Sequence, residues 1–310
     1  MGWLTRVSYM KYAKHFLVFS LITVLVSLGA LMTKGLNQGI DFTGGLMLDL
    51  QFEQTVTTAQ LRDGITSSLG AVDPQIQETE AKGTDKPEAT EFLVRTPELT
   101  AEQKAKLFED LKSIGAYSVI SEEDVSGSVS SELTQKALLA VAIAAVLQVI
   151  YITIRFQFRF GITAVIALLH DVIITLGVLS LFQVQVNSNF VAAILTVLGY
   201  SMNDTVVVID RIRENLHARK KGESLEEMTS RSIQEVITRS IYTGVSVQMM
   251  LVALMIWGGG TIFDFALTLL VGIIAGTYSS IFVAAALWFF WERSVGEHSK
   301  STVKSKPVKA

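Results

Sequence analysis

Six apolar stretches dominate the pattern of hydrophobic and polar positions, at about residues 16–32, 137–154, 161–182, 190–209, 241–257 and 262–291. Each comes close to or exceeds the roughly 20 residues that cross a bilayer as a helix. The pattern predicts an α-helical polytopic membrane protein with six transmembrane helices. The last stretch is long enough to tilt or to extend past the membrane.

Between the first and second stretches the rhythm changes. Leu46, Leu48, Leu50 and Phe52 alternate with polar residues, as in a half-buried strand. Leu61, Ile65 and Leu69 follow a helical spacing that ends at Gly70. Residues 75–81 predict a second strand, and the polar residues 81–89 a hairpin loop. Phe92 and Val94 mark a third strand. Thr100 and Gln103 fit a capping box that opens a helix running to about Lys112. After Gly115, Tyr117 and Val119 mark a last strand. The order β-α-β-β-α-β is that of a ferredoxin-like α+β domain. The Ser- and Gly-rich residues 126–131 predict a connector into the second span. The expected divisions are 1–34 (N-terminus and first span), 35–135 (the α+β domain), 136–293 (a five-helix bundle) and 294–310 (a basic tail).

Charge adds an orientation. Residues 35–135 carry 18 acids and 7 bases. Arg6, Lys11 and Lys14 precede the first span, Arg155 and Arg159 follow the second, and Arg211, Arg213, Arg219, Lys220, Lys221 and Arg231 follow the fourth. Arg293, Lys300 and Lys304 follow the last, while the connections at 183–189 and 258–260 hold no Lys or Arg. The positive-inside rule then puts both termini in the cytoplasm and the acidic domain outside. The basic start of the first span, with small residues near its end, also fits a cleaved signal peptide, which would leave five spans.

Half of the residues are apolar, there is no cysteine, and there are four histidines. Disulfides, thiol catalysis and Cys-ligated metals are excluded. No P-loop, dinucleotide fingerprint or zinc pattern appears. The expectation is a protein that is not an enzyme and has no metal or cofactor. The basic loops and tail suit anionic lipids rather than nucleic acid.

The candidate chemistry lies inside the spans. Asp204 sits in the fourth apolar stretch, seven residues before Arg211, hence roughly 10 Å inside the boundary. A mid-membrane Asp costs about 2.5–3.5 kcal/mol on insertion scales, so an ionisable residue there is a functional candidate by default. Thr196, Tyr200 and Asp204 recur every four residues and predict one shared face. Asp171 lies mid-span beside His170; adjacent helical positions point about 100° apart, so the two are not expected to share a face, and the readings are a titrating His–Asp pair or a structural hydrogen bond to another helix. Arg239 opens the fifth stretch, either as an anchor at the head groups or as a partner for Asp204. Thr268, Gly272, Gly276 and Ser280, four apart, predict a small-residue packing face.

Four segments together resemble the SecF members of the SecD/SecF family, within the resistance–nodulation–division superfamily. They are Gly39–Gly45 with Asp41, Phe42, Thr43, Gly44 and Gly45; Ala167–Gly177; Ser201–Asn215 with Asp210, Arg211, Arg213, Glu214 and Asn215; and the Arg239-led fifth span. The resemblance implies a subunit of the Sec protein-export machinery. It implies SecD as partner, the SecYEG channel and SecA motor as the machinery assisted, YajC and YidC as neighbours, and an unfolded polypeptide as cargo. The implied setting is the bacterial cytoplasmic (inner) membrane, with the proton-motive force as driver and Na⁺ as the alternative ion. Carried over by motif, Asp204 and Arg239 belong to the proton path; Asp171 joins them as a proton-relay candidate from its mid-span position, with Thr196, Tyr200, Asn203 and Thr243 as a supporting polar face. After Arg239 the family run is rich in hydroxyls, whereas Gly244 and Val247 stand here. Two other readings are a proton-driven small-molecule or lipid exporter half of the same superfamily, and a non-energised scaffold for export proteins.

Overall fold

The computed structural model describes residues 7–70, 74–79, 89–258 and 260–304. The hairpin loop expected at 81–89 lies outside them apart from its last residue, as does the tail beyond 304. The chain divides into two compact units, one of residues 38–140 with 186–188, the other made of the rest.

In the smaller unit, β1 (Asn37–Gln38) and a single helical turn, α2 (Ile40–Thr43), lead into β2 (Gly45–Phe52). There follow α3 (Thr58–Leu69), β3 (Gln75–Thr79), β4 (Thr90–Thr96), α4 (Ala101–Ile114) and β5 (Tyr117–Val125). The sheet order is β3-β4-β2-β5, with every neighbouring pair antiparallel. Alternation along β2 puts Leu46, Leu48, Leu50 and Phe52 against Leu61 and Ile65 of α3 and Leu107 and Leu111 of α4. Each such side chain contributes about 1.5–3 kcal/mol by burial. Both helices begin with a capping box, Thr57 with Gln60 and Thr100 with Gln103. The box at Thr57 went unread in the sequence.

The turn before β2 needs its two glycines. Gly44 has φ 73° and Gly45 φ 132°, where a side chain is strained. A Cβ on Gly45 would also run into the carbonyl oxygen of Thr96. This turn places the Asp41 carboxylate 2.7 Å from the backbone N–H of Ser188, which it accepts.

The larger unit holds the membrane helices, and six are long and apolar enough to span. They include α1 (Ala13–Lys34), α5 (Gly127–Arg155) and α6 (Phe158–Phe182). After a short β6 (Gln185–Val186) come α7 (Ser188–His217) and α8 (Leu225–Trp257). The sixth span is α9 (Gly260–Tyr278), a π turn (Ser279–Ala284) and α10 (Ala285–Lys304). The sixth span and α7 are buried over 67% and 56% of their apolar windows and α5 over 6%, so the first two form the centre and α5 the periphery. The core runs through Phe160, Leu168, Leu198, Met202, Ile237, Ile281 and Trp288, with the Phe160 and Trp288 rings stacked 4.8 Å apart.

One expectation is corrected. Residues 126–131 are not a connector: Gly127 opens α5, and Ser130 and Thr134 return their hydroxyls to carbonyls one turn back. The helix that carries the fifth apolar stretch begins well before it, at Leu225, behind a capping box of Ser224 and Glu227. Its first turns are amphipathic rather than apolar, which hides them from a hydropathy window.

Candidate functional site: two carboxylates held by hydroxyls

Asp204 is 9% exposed on α7. One carboxylate oxygen accepts from Ser240 Oγ of α8 at 2.6 Å, the other from Ser280 Oγ of the π turn at 2.7 Å. Three helical elements thus meet on one side chain. A serine hydroxyl donates to a carboxylate and can reverse to accept from a carboxylic acid. The same shell therefore accommodates either protonation state.

Asp171, on α6, is fully buried. One oxygen faces His170 Nδ1 at 2.9 Å; the other accepts from Ser201 Oγ at 2.5 Å and Ser279 Oγ at 2.7 Å. His170 and Asp171 therefore converge despite the 100° offset of their helical positions, as a His–Asp pair requires.

Packing brings these elements close. Gly276 lies against Ser201: a Cβ there would meet Ser201 Cβ at 2.9 Å. Gly272 lies in the same way against Val197, and Gly244 faces Thr277 Oγ1 with a Cβ distance of 2.9 Å. Gly244, which departs from a hydroxyl-rich run, thus lets α8 approach the sixth span. Thr268 is buried one turn before Gly272 and returns its hydroxyl to the Asp264 carbonyl. Ser280 does more than pack, because it binds Asp204.

Other sequence candidates lie elsewhere. Arg239 is exposed on α8 and makes no ion pair with Asp204 here; its neighbour Ser240 occupies that place. Thr196, Asn203 and Thr243 are exposed, while Tyr200 is half-buried with Asp204 and Thr277 close by. A step of four residues drifts 40° around a helix of 3.6 residues per turn, so Thr196 is carried off the Asp204 face. The buried stripe is instead Val197, Ser201, Asp204, Thr205 and Val208.

The signature at the end of α7 forms a charged network. Asp210 faces Arg155 at 3.5 Å and Arg213 at 3.3 Å. Arg211 bonds Glu214 at 2.6 Å and Glu235 of α8 at 2.5 Å. Asn215 donates to Ser232 at 3.0 Å and Glu235 at 2.7 Å, and accepts from Arg231 at 3.0 Å. Sequence reasoning missed Ser201, Ser240, Ser279, Arg231 and Glu235 as members of these clusters. A hydroxyl on the buried stripe three residues before Asp204 was the one usable signal. Among the described residues no group of three His, Asp or Glu is placed to hold a metal.

A family model described as "Protein export membrane protein SecD/SecF, C-terminal" matches residues 103–294, and the "SecD/SecF GG Motif" model matches residues 29–56. The chain belongs to the SecD/SecF family. Proteins named "Protein translocase subunit SecF" are similar to it along most of its length. That of Sebaldella termitidis is 40% identical over 92% of this chain and 91% of its own. That of Vibrio alginolyticus is 37% identical over 91% and 88%. The crystal structure of SecDF from Thermus thermophilus superposes with a TM-score of 0.83 at 33% identity, over 93% of this chain. The match covers 39% of that SecDF chain, so this chain spans about two fifths of it. The function of these SecF relatives is transport, as subunits of the protein translocase, and this SecD/SecF chain is a multi-pass membrane protein. The GG motif is the Gly44–Gly45 turn whose backbone only glycine adopts freely.

Proposed function

We propose that this chain is the SecF-type subunit that, with SecD, uses the proton-motive force to help draw polypeptides across the cytoplasmic membrane, and that Asp204 carries the proton. The observation that carries this reading is the buried Asp204 carboxylate, with each oxygen held by a hydroxyl from a different helix. A change in its charge acts on α8 and the sixth span together. One proton crossing 100 mV supplies about 2.3 kcal/mol, enough to bias two packings of such a bundle.

Arg239 enters as the alternative partner. It precedes Ser240, so turning α8 by about 100° exchanges a hydroxyl for a guanidinium at Asp204. The smaller unit, with its β-α-β-β-α-β order, is assigned as a ferredoxin-like domain on the outer side that engages the exported chain. Both termini and the Asp210–Asn215 network are assigned to the cytoplasm of a bacterial inner membrane. SecYEG and SecA are the assisted machinery, and the SecDF match supports SecD as partner. The chain then performs no covalent chemistry.

Export into inverted vesicles, with H⁺ and Na⁺ gradients imposed separately, tests the reading. Stimulation by the H⁺ gradient supports it. Stimulation by Na⁺ alone replaces the ion, and equal export with neither gradient reduces the chain to a scaffold.

A further inference from the structure

We propose that His170 is a second proton-accepting group of the membrane unit, with its own proton on Nδ1 against Asp171 and Nε2 as the basic atom. His170 is 6% exposed, and its Nε2 is buried with no hydrogen-bond partner, while Nδ1 stands 2.9 Å from Asp171 Oδ1. A neutral imidazole has one donor and one acceptor nitrogen. The tautomer with hydrogen on Nε2 would bury an unmet donor and set the Nδ1 lone pair against a carboxylate oxygen. An unmet buried donor keeps the full desolvation penalty of its N–H. The other tautomer meets the carboxylate with an N–H and leaves a lone pair on Nε2. Ser201 and Ser279 both donate to the remaining Asp171 oxygen, so the oxygen facing Nδ1 is left to the imidazole.

The surroundings fix the ring. Tyr278 lies alongside it, centroids 6.3 Å apart and 24° from parallel, and its own hydroxyl donates to the Phe16 carbonyl at 2.8 Å. The groups facing the dyad from each packed element are few. From α7 comes Ser201, with Tyr200 and Asp204 nearby on the same helix; from the sixth span come Tyr278 and Ser279. Helix α1 has no acid or base between Phe16 and Thr33, and Glu292 of α10 is held by Arg159 at 2.6 Å. Among the described residues no acid or base other than Asp171 makes a hydrogen bond or ion pair with the imidazole.

The dyad connects to Asp204 through neighbours in the chain. Ser201 binds Asp171 and stands three residues before Asp204, and Ser279 binds Asp171 while Ser280 binds Asp204. A proton arriving at either carboxylate site thus acts on the same two backbone segments. The proposal rests on reading the membrane unit as proton-driven, but its test uses no export.

The chain has four histidines, so nitrogen-15 labelling of histidine in lipid nanodiscs gives few signals. A variant with His15→Gln, His217→Gln and His298→Gln leaves His170 alone and the dyad intact. The expected result is a proton on Nδ1 and a bare Nε2 at alkaline pH, with Nε2 gaining a proton on acidification. Asp171→Asn is expected to lose the preference for Nδ1 protonation. A ring protonated on Nε2 at alkaline pH, a ring that gains no proton before the unit unfolds, or an Nδ1 preference kept in Asp171→Asn overturns the proposal. A dyad that behaves as expected in a protein whose export ignores proton gradients would leave it standing while removing the proposed function.

Discussion

Ser279 and Ser280 are consecutive in the chain yet donate to different carboxylates, Asp171 and Asp204, each at 2.7 Å. They open the π turn Ser279–Ala284 inside the sixth span. π turns within α-helices are rare and concentrate at functional sites. Here the turn joins the chemistry of α6 to that of α7 and α8, so the two carboxylates share one piece of backbone.

Removing one hydroxyl leaves a carboxylate oxygen short of a donor. Ser280→Ala is expected to lower the stability of the membrane unit by about 1.5–3 kcal/mol, the range for hydrogen bonds to charged groups. Ser280→Thr, which keeps the hydroxyl, is expected to retain most of it. Unfolding in mixed micelles followed by tryptophan fluorescence distinguishes the two; equal stability of Ser280→Ala and wild type contradicts the contact.

Glycine contacts separate in the same way. Gly276→Ala places a methyl against Ser201 and is expected to cost about 1–3 kcal/mol through overpacking. Gly199→Ala has nothing within 4 Å and is expected to be neutral or to stabilise by about 0.5–1 kcal/mol, as Ala replaces Gly in a helix. Thermal melts of the two variants side by side check the order.

Asp49 gives the smaller unit a pH dependence. Burial, with help from the neighbouring Glu91, pushes its carboxyl up to about 6, and its Oδ1 has no hydrogen-bond partner. The folded-state value lies above the unfolded one, so the native form binds the proton more readily. This contribution to stability is therefore full below the usual carboxylate range and is lost as pH rises through about 6. Hydrogen exchange of the amides of β2 and β4 is expected to slow on acidification through that window, and Asp49→Asn is expected to flatten the response.

The network at the end of α7 should matter modestly for stability. Arg211 and Glu235 are each about one third exposed, so Glu235→Gln is expected to cost no more than about 1 kcal/mol. Denaturant titration measures it; a much larger loss means that the α7–α8 junction depends on this one carboxylate.

The spans were legible because apolar length has one common meaning, and the strands of the smaller unit because Leu46, Leu48, Leu50 and Phe52 alternate. Asp204 was legible because a charge in an apolar run is conspicuous. The hydroxyl partners of Asp204 and Asp171 were not. Serines 201, 240, 279 and 280 have the small size of packing residues, and hydropathy does not separate the two roles. The π turn depends on tertiary contacts and has no periodic mark of its own. Arg239 illustrates a related limit: charge complementarity suggested a pair with Asp204, but the helix face that reaches Asp204 carries Ser240 instead.

The role of Asp204 is tested most directly by export into inverted vesicles containing SecD and either the wild-type chain or Asp204→Asn. The amide keeps the shape, with its oxygen accepting from one of Ser240 and Ser280 and its NH2 donating to the other, but it cannot carry a proton. The expected result is an unchanged rate without a proton gradient, complete loss of the increase that the gradient confers, and undiminished co-purification with SecD. A gradient-dependent increase equal to that of the wild type would contradict the account.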